Sequence, residues 1–180
     1  MATPFHAEVV TPERVLFAGE VDEVLMRTDV GEIAFLAHHT EFVGALDITV
    51  VTVRAASGEE GAGGAPAEAS GEQQRFAVHG GFVHMANNRL SVLAGVAERA
   101  EEIDVARART ALEAARERLG REGPPSAPDR RGAEPSTAEP EAGGTPLTGA
   151  RLALLAPASA AAALRRAEVR LQAAGASESA

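Results

Sequence analysis

Several residue types with distinctive chemistry are missing from this chain of 180 residues. It contains no cysteine, which excludes disulfides, thiolate nucleophiles and thiolate metal ligands. All 17 basic residues are arginine, so Schiff-base and P-loop lysine chemistry are excluded as well. Tryptophan and tyrosine are absent, and six phenylalanines are too few for a base-stacking platform. With a formal net charge of −9, no nucleic-acid partner is expected.

Membrane-spanning and secretory signals are not found either. The longest apolar stretch, 152–164, is alanine-rich, is interrupted by Pro157, and is too short to cross a bilayer. Residues 1–6 have neither a charged n-region nor an apolar h-region, so no signal peptide is predicted. We expect the protein to stay on the cytosolic side and to reach a membrane only through a partner.

The first hundred residues have the pattern of short β-strands separated by turns. Asn87-Asn88 is suited to a tight hairpin turn, and Ala18-Gly19 and Gly80-Gly81 are expected to end strands. Turn signals at this frequency are typical of an antiparallel β-sandwich or barrel. The predicted strands are 5–10, 14–17, 21–27, 32–36, 47–54, 75–79, 82–85 and 90–93.

The hydrophobic period changes to that of a helix near residue 101. Two segments carry a narrow alanine/leucine stripe at spacings of three and four residues, which places each stripe on one helical face. Neither stripe can bury a core alone, so an antiparallel two-helix hairpin is predicted over 101–175, with helices at about 104–120 and 158–174. The stripe residues are Ala108, Leu112, Ala115 and Leu119, then Ala160, Leu164, Ala167 and Leu171.

Two segments have a composition that cannot bury a core. Residues 57–74 interrupt two strands and are rich in Gly, Ala and Glu, and residues 121–150 separate the two helices and are rich in Pro, Gly and Glu. We expect a flexible loop in the β-domain, residues 1–100, and a disordered linker inside the hairpin.

Five histidines suggest a metal site as one alternative, that of a small cupin-like metalloenzyme. Their spacing matches no ligand motif, and the adjacent His38 and His39 would point to opposite sides of an extended strand. No catalytic constellation is found, so neither catalytic residues nor a metal site is predicted. The five are His6, His38, His39, His79 and His84.

Four blocks, taken in order, resemble the epsilon subunit of bacterial F-type ATP synthases: residues 9–19, 31–46, 78–94 and 97–104. The resemblance implies an N-terminal β-sandwich of two sheets and a C-terminal helical hairpin. It also implies a non-catalytic rotor subunit of the central stalk, which couples proton-driven rotation of the c ring to ATP synthesis. A generic β-sandwich adaptor remains a third alternative.

The same resemblance implies partners. They are the gamma subunit, the c-subunit ring and, through the C-terminal helices, the catalytic alpha/beta hexamer, where the helices can inhibit ATP hydrolysis. The protein would then be peripheral, at the cytoplasmic face of the cell membrane. Glu32 and His39 match the family's c-ring contacts, although Ala37 stands where the family usually has proline.

A regulatory ATP site is implied as well, and no other cofactor is required. Some family members carry the pattern Ile/Leu-Asp-x-x-Arg-Ala at the first helix and two arginines one turn apart on the second. Taken from the residues alone, Asp104 could instead cap the helix and pair with Arg107. The matching residues are Ile103, Asp104, Arg107, Ala108, Arg166 and Arg170.

Overall fold

The computed structural model describes residues 3–28, 31–56, 73–122 and 159–176. The predicted fold class is confirmed: β-strands make up most of the described residues up to Arg99, and two helices follow. The predicted loop and linker lie almost entirely outside the described residues. The strands are β1 Phe5–Val10, β2 Val15–Thr28, β3 Gly31–Phe35, β4 Phe42–Ala55, β5 Gln73–Ala86, β6 Arg89–Ala94 and β7 Ala97–Arg99; a 3-10 turn, Ala100–Glu102, leads to the helices α1 Val105–Glu122 and α2 Ala160–Ala173.

Alternating side chains determine how the strands are placed. In β1, Phe5, Ala7 and Val9 are buried while the residues between them face outward. β1 pairs with β2 on one side and, in parallel, with β6 on the other, and all other pairings are antiparallel. The predicted hairpin between β5 and β6 is confirmed, with Asn87 and Asn88 at φ 51° and 59°.

Three strands, β2, β4 and β5, are 14 residues long and bend from one layer of the sandwich into the other. In β5, Phe76 and Val78 face the core before the bend, whereas Val83 and Met85 face it afterwards. The bend lies at Gly80 and Gly81, at φ 89° and 146°. The prediction that these glycines end a strand is therefore wrong, because they change the strand's direction while its pairing with β4 continues.

The predicted end of a strand at Ala18-Gly19 is also wrong. Both residues pair with β1, Ala18 with Glu8 and Gly19 with Ala7, and this pairing keeps the chain extended. A register irregularity between Val21 and Glu23 marks the bend of β2 instead.

The bends divide the sheet into two layers. Layer A contains β1, β6 and the neighbouring halves of β2, β4 and β5, and layer B contains β3, β7 and the remaining halves. Apolar side chains fill the space between them, among them Phe5, Leu16, Phe35, Phe76 and Met85.

The helices cover the outer face of layer B. α2 packs on β4 and β5, and α1 packs mainly on α2. The alanine/leucine stripes of the two helices contribute to a second apolar cluster, outside the sandwich core. In it Ala108, Leu112, Ala167 and Leu171 are buried above Ala77 of β5. Within the described residues, no helix is long and apolar enough to cross a membrane.

Candidate functional site at the sandwich–helix junction and the opposite face

An ion pair ties α2 to the edge of layer B. The Nε of Arg170 donates to both carboxylate oxygens of Glu98, at 3.0 and 3.1 Å, and its Nη2 makes a further hydrogen bond to the same group. Glu98 belongs to β7, 72 residues earlier in the chain. The two side chains are about one-third exposed. The ion pair is therefore expected to fix the orientation of α2 on layer B and to add little to the free energy of unfolding.

His79 lies beneath this pair. Its side chain is 4% exposed, its Nε2 is 3.8 Å from a Glu98 oxygen, and neither ring nitrogen has a hydrogen-bond partner within the described part of the chain. Burial, together with the positive charges of Arg170 and Arg166, lowers the pKa of His79 to about 4. The side chain is therefore a neutral imidazole at neutral pH.

The structure brings together some of the residues predicted for ATP. Ile103 and Ala108 are buried in the helical cluster with Ala167, and Arg166 is close enough to His79 to act on it electrostatically. Asp104 caps α1, since its Oδ1 accepts a hydrogen bond from the backbone N–H of Arg107 at 3.0 Å.

Glu98 was not among the residues predicted from the sequence, although it holds one of the two predicted arginines. The sequence carries no local signal for this, because the contact joins residues that are far apart in the chain.

The segment that joins the sandwich to α1 is held in place by two arginines. Arg14, in the turn between β1 and β2, makes a two-pronged ion pair with Glu102 of the 3-10 turn. This guanidinium holds the pKa of the Glu102 carboxyl below its usual range. Arg99 donates to the backbone carbonyl of Leu16. The start of α1 is thus attached to layer A.

The two predicted c-ring residues lie near opposite ends of β3, Glu32 inside the strand and His39 after it. Glu32 is exposed near the start of β3, where it is the register partner of Arg27. His39 follows the end of β3, with its ring centroid 4.8 Å from that of Phe35. The backbone N–H of His38 bonds to the side chain of Asn88 at 2.7 Å, which ties this loop to the β5–β6 turn.

A continuous row of apolar side chains crosses the outer face of layer A, opposite the helices. Neighbouring members are register partners on adjacent strands, so the row crosses β4, β5, β6, β1 and β2 in turn. Phe82, Leu93 and Val15 are 61%, 50% and 57% exposed. We call this the apolar row: Ala45, Phe82, Leu93, Val10 and Val15.

The histidines do not converge. His6 lies 3.2 Å from Glu20, His84 is exposed on layer A, and His79 is buried under α2. Within the described residues, no group of three His, Asp or Glu side chains could hold a metal ion.

The fold belongs to the class of two-layer β-sandwiches with C-terminal helices: the helices pack on one outer face, and the apolar row lies on the other. The family model for the ATP synthase delta/epsilon chain β-sandwich domain matches residues 4–100. This chain therefore belongs to the ATP synthase delta/epsilon chain family.

Curated relatives named ATP synthase epsilon chain agree with this assignment. The protein from Carboxydothermus hydrogenoformans is 40% identical over 124 residues, covering 69% of this chain and 82% of the relative. That from Thermobifida fusca is 47% identical over 115 residues, covering 63% and 76%. A chain in the structure of the Euglena gracilis mitochondrial ATP synthase OSCP/F1/c-ring assembly shares the fold, with a TM-score of 0.52 at 19% identity, over 94% of this chain and 76% of that one.

Proposed function

We propose that this chain is a non-catalytic rotor subunit in the central stalk of an F-type ATP synthase, where it couples proton-driven rotation of the c ring to ATP synthesis. Family membership supports the proposal, and the observation that carries it is the apolar row. A subunit that acts by docking needs an exposed face that its own core does not use, and layer A has one.

The apolar row is the surface proposed to pack on the gamma subunit. Contiguous exposed apolar side chains are uncommon on monomers and mark interaction surfaces. The helices cover only layer B, so the row stays available whether the hairpin is docked or not. Phe82, near the middle of the row, is its largest member and the natural anchor.

The end of the sandwich near β3 is proposed to contact the c ring. Glu32 and His39 are the residues assigned by family resemblance, and Leu36, which follows β3 between them in the chain, is 49% exposed. The chain would reach the membrane only through this complex, at the cytoplasmic face.

Copurification with the gamma subunit tests the docking proposal. Phe82→Glu and Leu93→Glu each place a carboxylate in the row, and we expect each to abolish copurification from coexpressing cells. Ala111→Glu, on the exposed face of α1, adds the same charge elsewhere and should copurify normally. If Phe82→Glu and Leu93→Glu both copurify as the unaltered chain does, gamma docks on another surface.

The hairpin is proposed to inhibit ATP hydrolysis by extending toward the catalytic alpha/beta hexamer. Its seam contains mainly alanine and single leucines, and α1 has little contact with the sandwich. A chain that ends at Gly120 lacks α2, so complexes containing it should hydrolyse ATP faster than complexes with the full chain. An unchanged rate would contradict inhibition by the helices.

A regulatory ATP is proposed to bind at the predicted residues on α1 and α2. Arginine forks suit phosphate oxygens, and Arg166 and Arg170 are one turn apart. Since Arg170 is held by Glu98 in this structure, triphosphate would have to compete with that carboxylate. This competition makes Glu98 part of the proposed site.

Calorimetric titration of the full chain with ATP tests this site. We expect saturable binding that Arg166→Ala and Arg170→Ala remove, whereas Arg118→Ala on the exposed face of α1 leaves it unchanged. Binding that survives in both α2 variants would place ATP elsewhere, and no binding at millimolar ATP would leave these arginines with protein contacts only.

A further inference from the structure

A second cationic site lies on the other side of α2. A cavity of about 330 Å³ opens between the outer face of layer B and the helix, and its lining comes from β2, β3, β4, β5 and α2. Arg165 and Gln172 line it from α2; they are seven residues apart and so lie on one side of the helix. At the other flank of α2, Arg170 bonds to Glu98 and Arg166 acts electrostatically on His79.

The charge in this cavity is unbalanced. Arg27 of β2, Arg75 of β5 and Arg165 of α2 line it together with a single carboxylate, Glu32. Among the described residues, Arg27 and Arg75 have no ion-pair partner, and Arg165 has only an exposed contact with Glu168 at 3.7 Å. By contrast, Arg14 and Arg54 of the sandwich each bond to a glutamate.

The neighbours of Arg75 show where its side chain lies in the cavity. Thr52 is the register partner of Arg75 and lines the same cavity. A Cβ on Gly175, just after α2, would lie 3.4 Å from the Arg75 Nη2, so this guanidinium reaches the helix end. Arg27 and Arg75 are exposed to solvent and Arg165 is half-buried, and an anion held among the three guanidinium groups would offset their mutual repulsion.

We propose that this cavity binds a diphosphate group, held by Arg27, Arg75 and Arg165. Three planar forks offer more donors than one carboxylate ligand can accept, and two linked phosphates supply enough oxygens to use them. Leu25 and Val50 give the cavity an apolar wall, which leaves room for an organic substituent on the diphosphate.

Such a ligand would hold α2 on the sandwich. Two of the arginines belong to layer B and the third to α2, so all three meet only when the helix is docked. A ligand that binds one conformation alone shifts the population toward it. The site is separate from the proposed ATP site and does not depend on it.

The test is calorimetric titration of the full chain with pyrophosphate, with amide hydrogen exchange of α2 measured in parallel. We expect saturable submillimolar binding and slower exchange in α2. The double variant Arg27→Gln/Arg75→Gln should weaken binding at least tenfold, whereas Arg109→Gln, on the exposed face of α1, should not change it.

Two further titrations test which arginines bind the ligand and whether the diphosphate belongs to a nucleotide. Arg166→Gln should still bind pyrophosphate. If Arg166→Gln loses binding while the double variant keeps it, the proposal is overturned. It is also overturned if the unaltered chain shows no saturable binding at several millimolar pyrophosphate. ADP that binds more tightly than pyrophosphate, and depends on Arg27 and Arg75, identifies a nucleotide as the source. Equal or weaker ADP binding with the same dependence identifies an inorganic diphosphate. Neither result bears on docking to the gamma subunit, so the two proposals fail independently.

Discussion

At the scale of single residues, His79 is a buried neutral imidazole close to the charged groups of Arg166, Arg170 and Glu98. Nothing in the sequence separates it from the other four histidines. Its burial follows from the pairing of β5 with β4 and from the helix above it, and neither can be seen from neighbouring residues.

This burial predicts an acid-sensitive stability. Below pH 6.5 the unfolded chain takes up a proton on this histidine, while the folded chain does so only near pH 4, so stability falls as the pH is lowered through this interval. From pH 7.5 to 5.5 the loss from His79 should be about 1 kcal/mol. Urea unfolding at both pH values measures it.

The matched variants are His79→Asn and His84→Asn. The first should lose this part of the pH dependence, and the second, which removes an exposed histidine, should keep it. A His79→Asn protein with the same dependence as the unaltered chain would show that the buried ring is protonated more easily than its surroundings indicate.

Gly81 is the residue on which the bend of β5 depends. A Cβ there would overlap the carbonyl oxygen of Leu93 and come within 3.0 Å of the Ala94 Cα, at a φ of 146°. We expect Gly81→Ala to lower the free energy of unfolding by roughly 2–4 kcal/mol in urea denaturation. Gly95→Ala, whose Cβ would meet nothing within 4 Å, is the control and should change stability little. A mild effect at Gly81 would mean that the bend adapts.

At the scale of elements, the two helices are stacked in order: α2 on the sandwich and α1 on α2. A buried carboxylate in α2 should therefore release both helices, and one in α1 only α1, because an unpaired buried charge costs several kcal/mol. Ala167→Glu and Ala115→Glu introduce these carboxylates at positions 1% and 3% exposed.

Amide hydrogen exchange distinguishes the two variants. Ala167→Glu should lose protection in both helices, and Ala115→Glu should lose it in α1 alone. Protection of α1 that persists in Ala167→Glu would show that the Arg14–Glu102 ion pair at its start is enough to keep α1 folded and docked without α2.

The elements that the sequence predicts are those with local causes. Asn87-Asn88 determines a turn without help from elsewhere, and a stripe at helical spacing identifies its own buried face, as Ala108 and Leu112 show. Gly80-Gly81 is different, because a glycine pair permits a chain reversal and a bend equally well. The chain bends here because β5 stays paired with β4 on both sides of the glycines. The ion pair between Arg170 and Glu98 likewise depends on the tertiary fold.

At the scale of the whole molecule, the two faces proposed to bind partners and ligands lie on opposite sides of one core. The apolar row is on layer A, and the helices with their two arginine groups are on layer B. Because the faces share no surface residues, we expect Ala167→Glu to copurify with the gamma subunit as the unaltered chain does. Reduced recovery of a folded Ala167→Glu chain would indicate that the docked hairpin supports the apolar row.

The bends at the middle of the long strands have a mechanical consequence. Since β4 and β5 each run through both layers, the same covalent backbone forms part of the apolar face and part of the helix-bearing face. A twisting load applied to one face would travel to the other along peptide bonds and strand hydrogen bonds. It would not have to cross the side-chain core, where two separate sheets could slide.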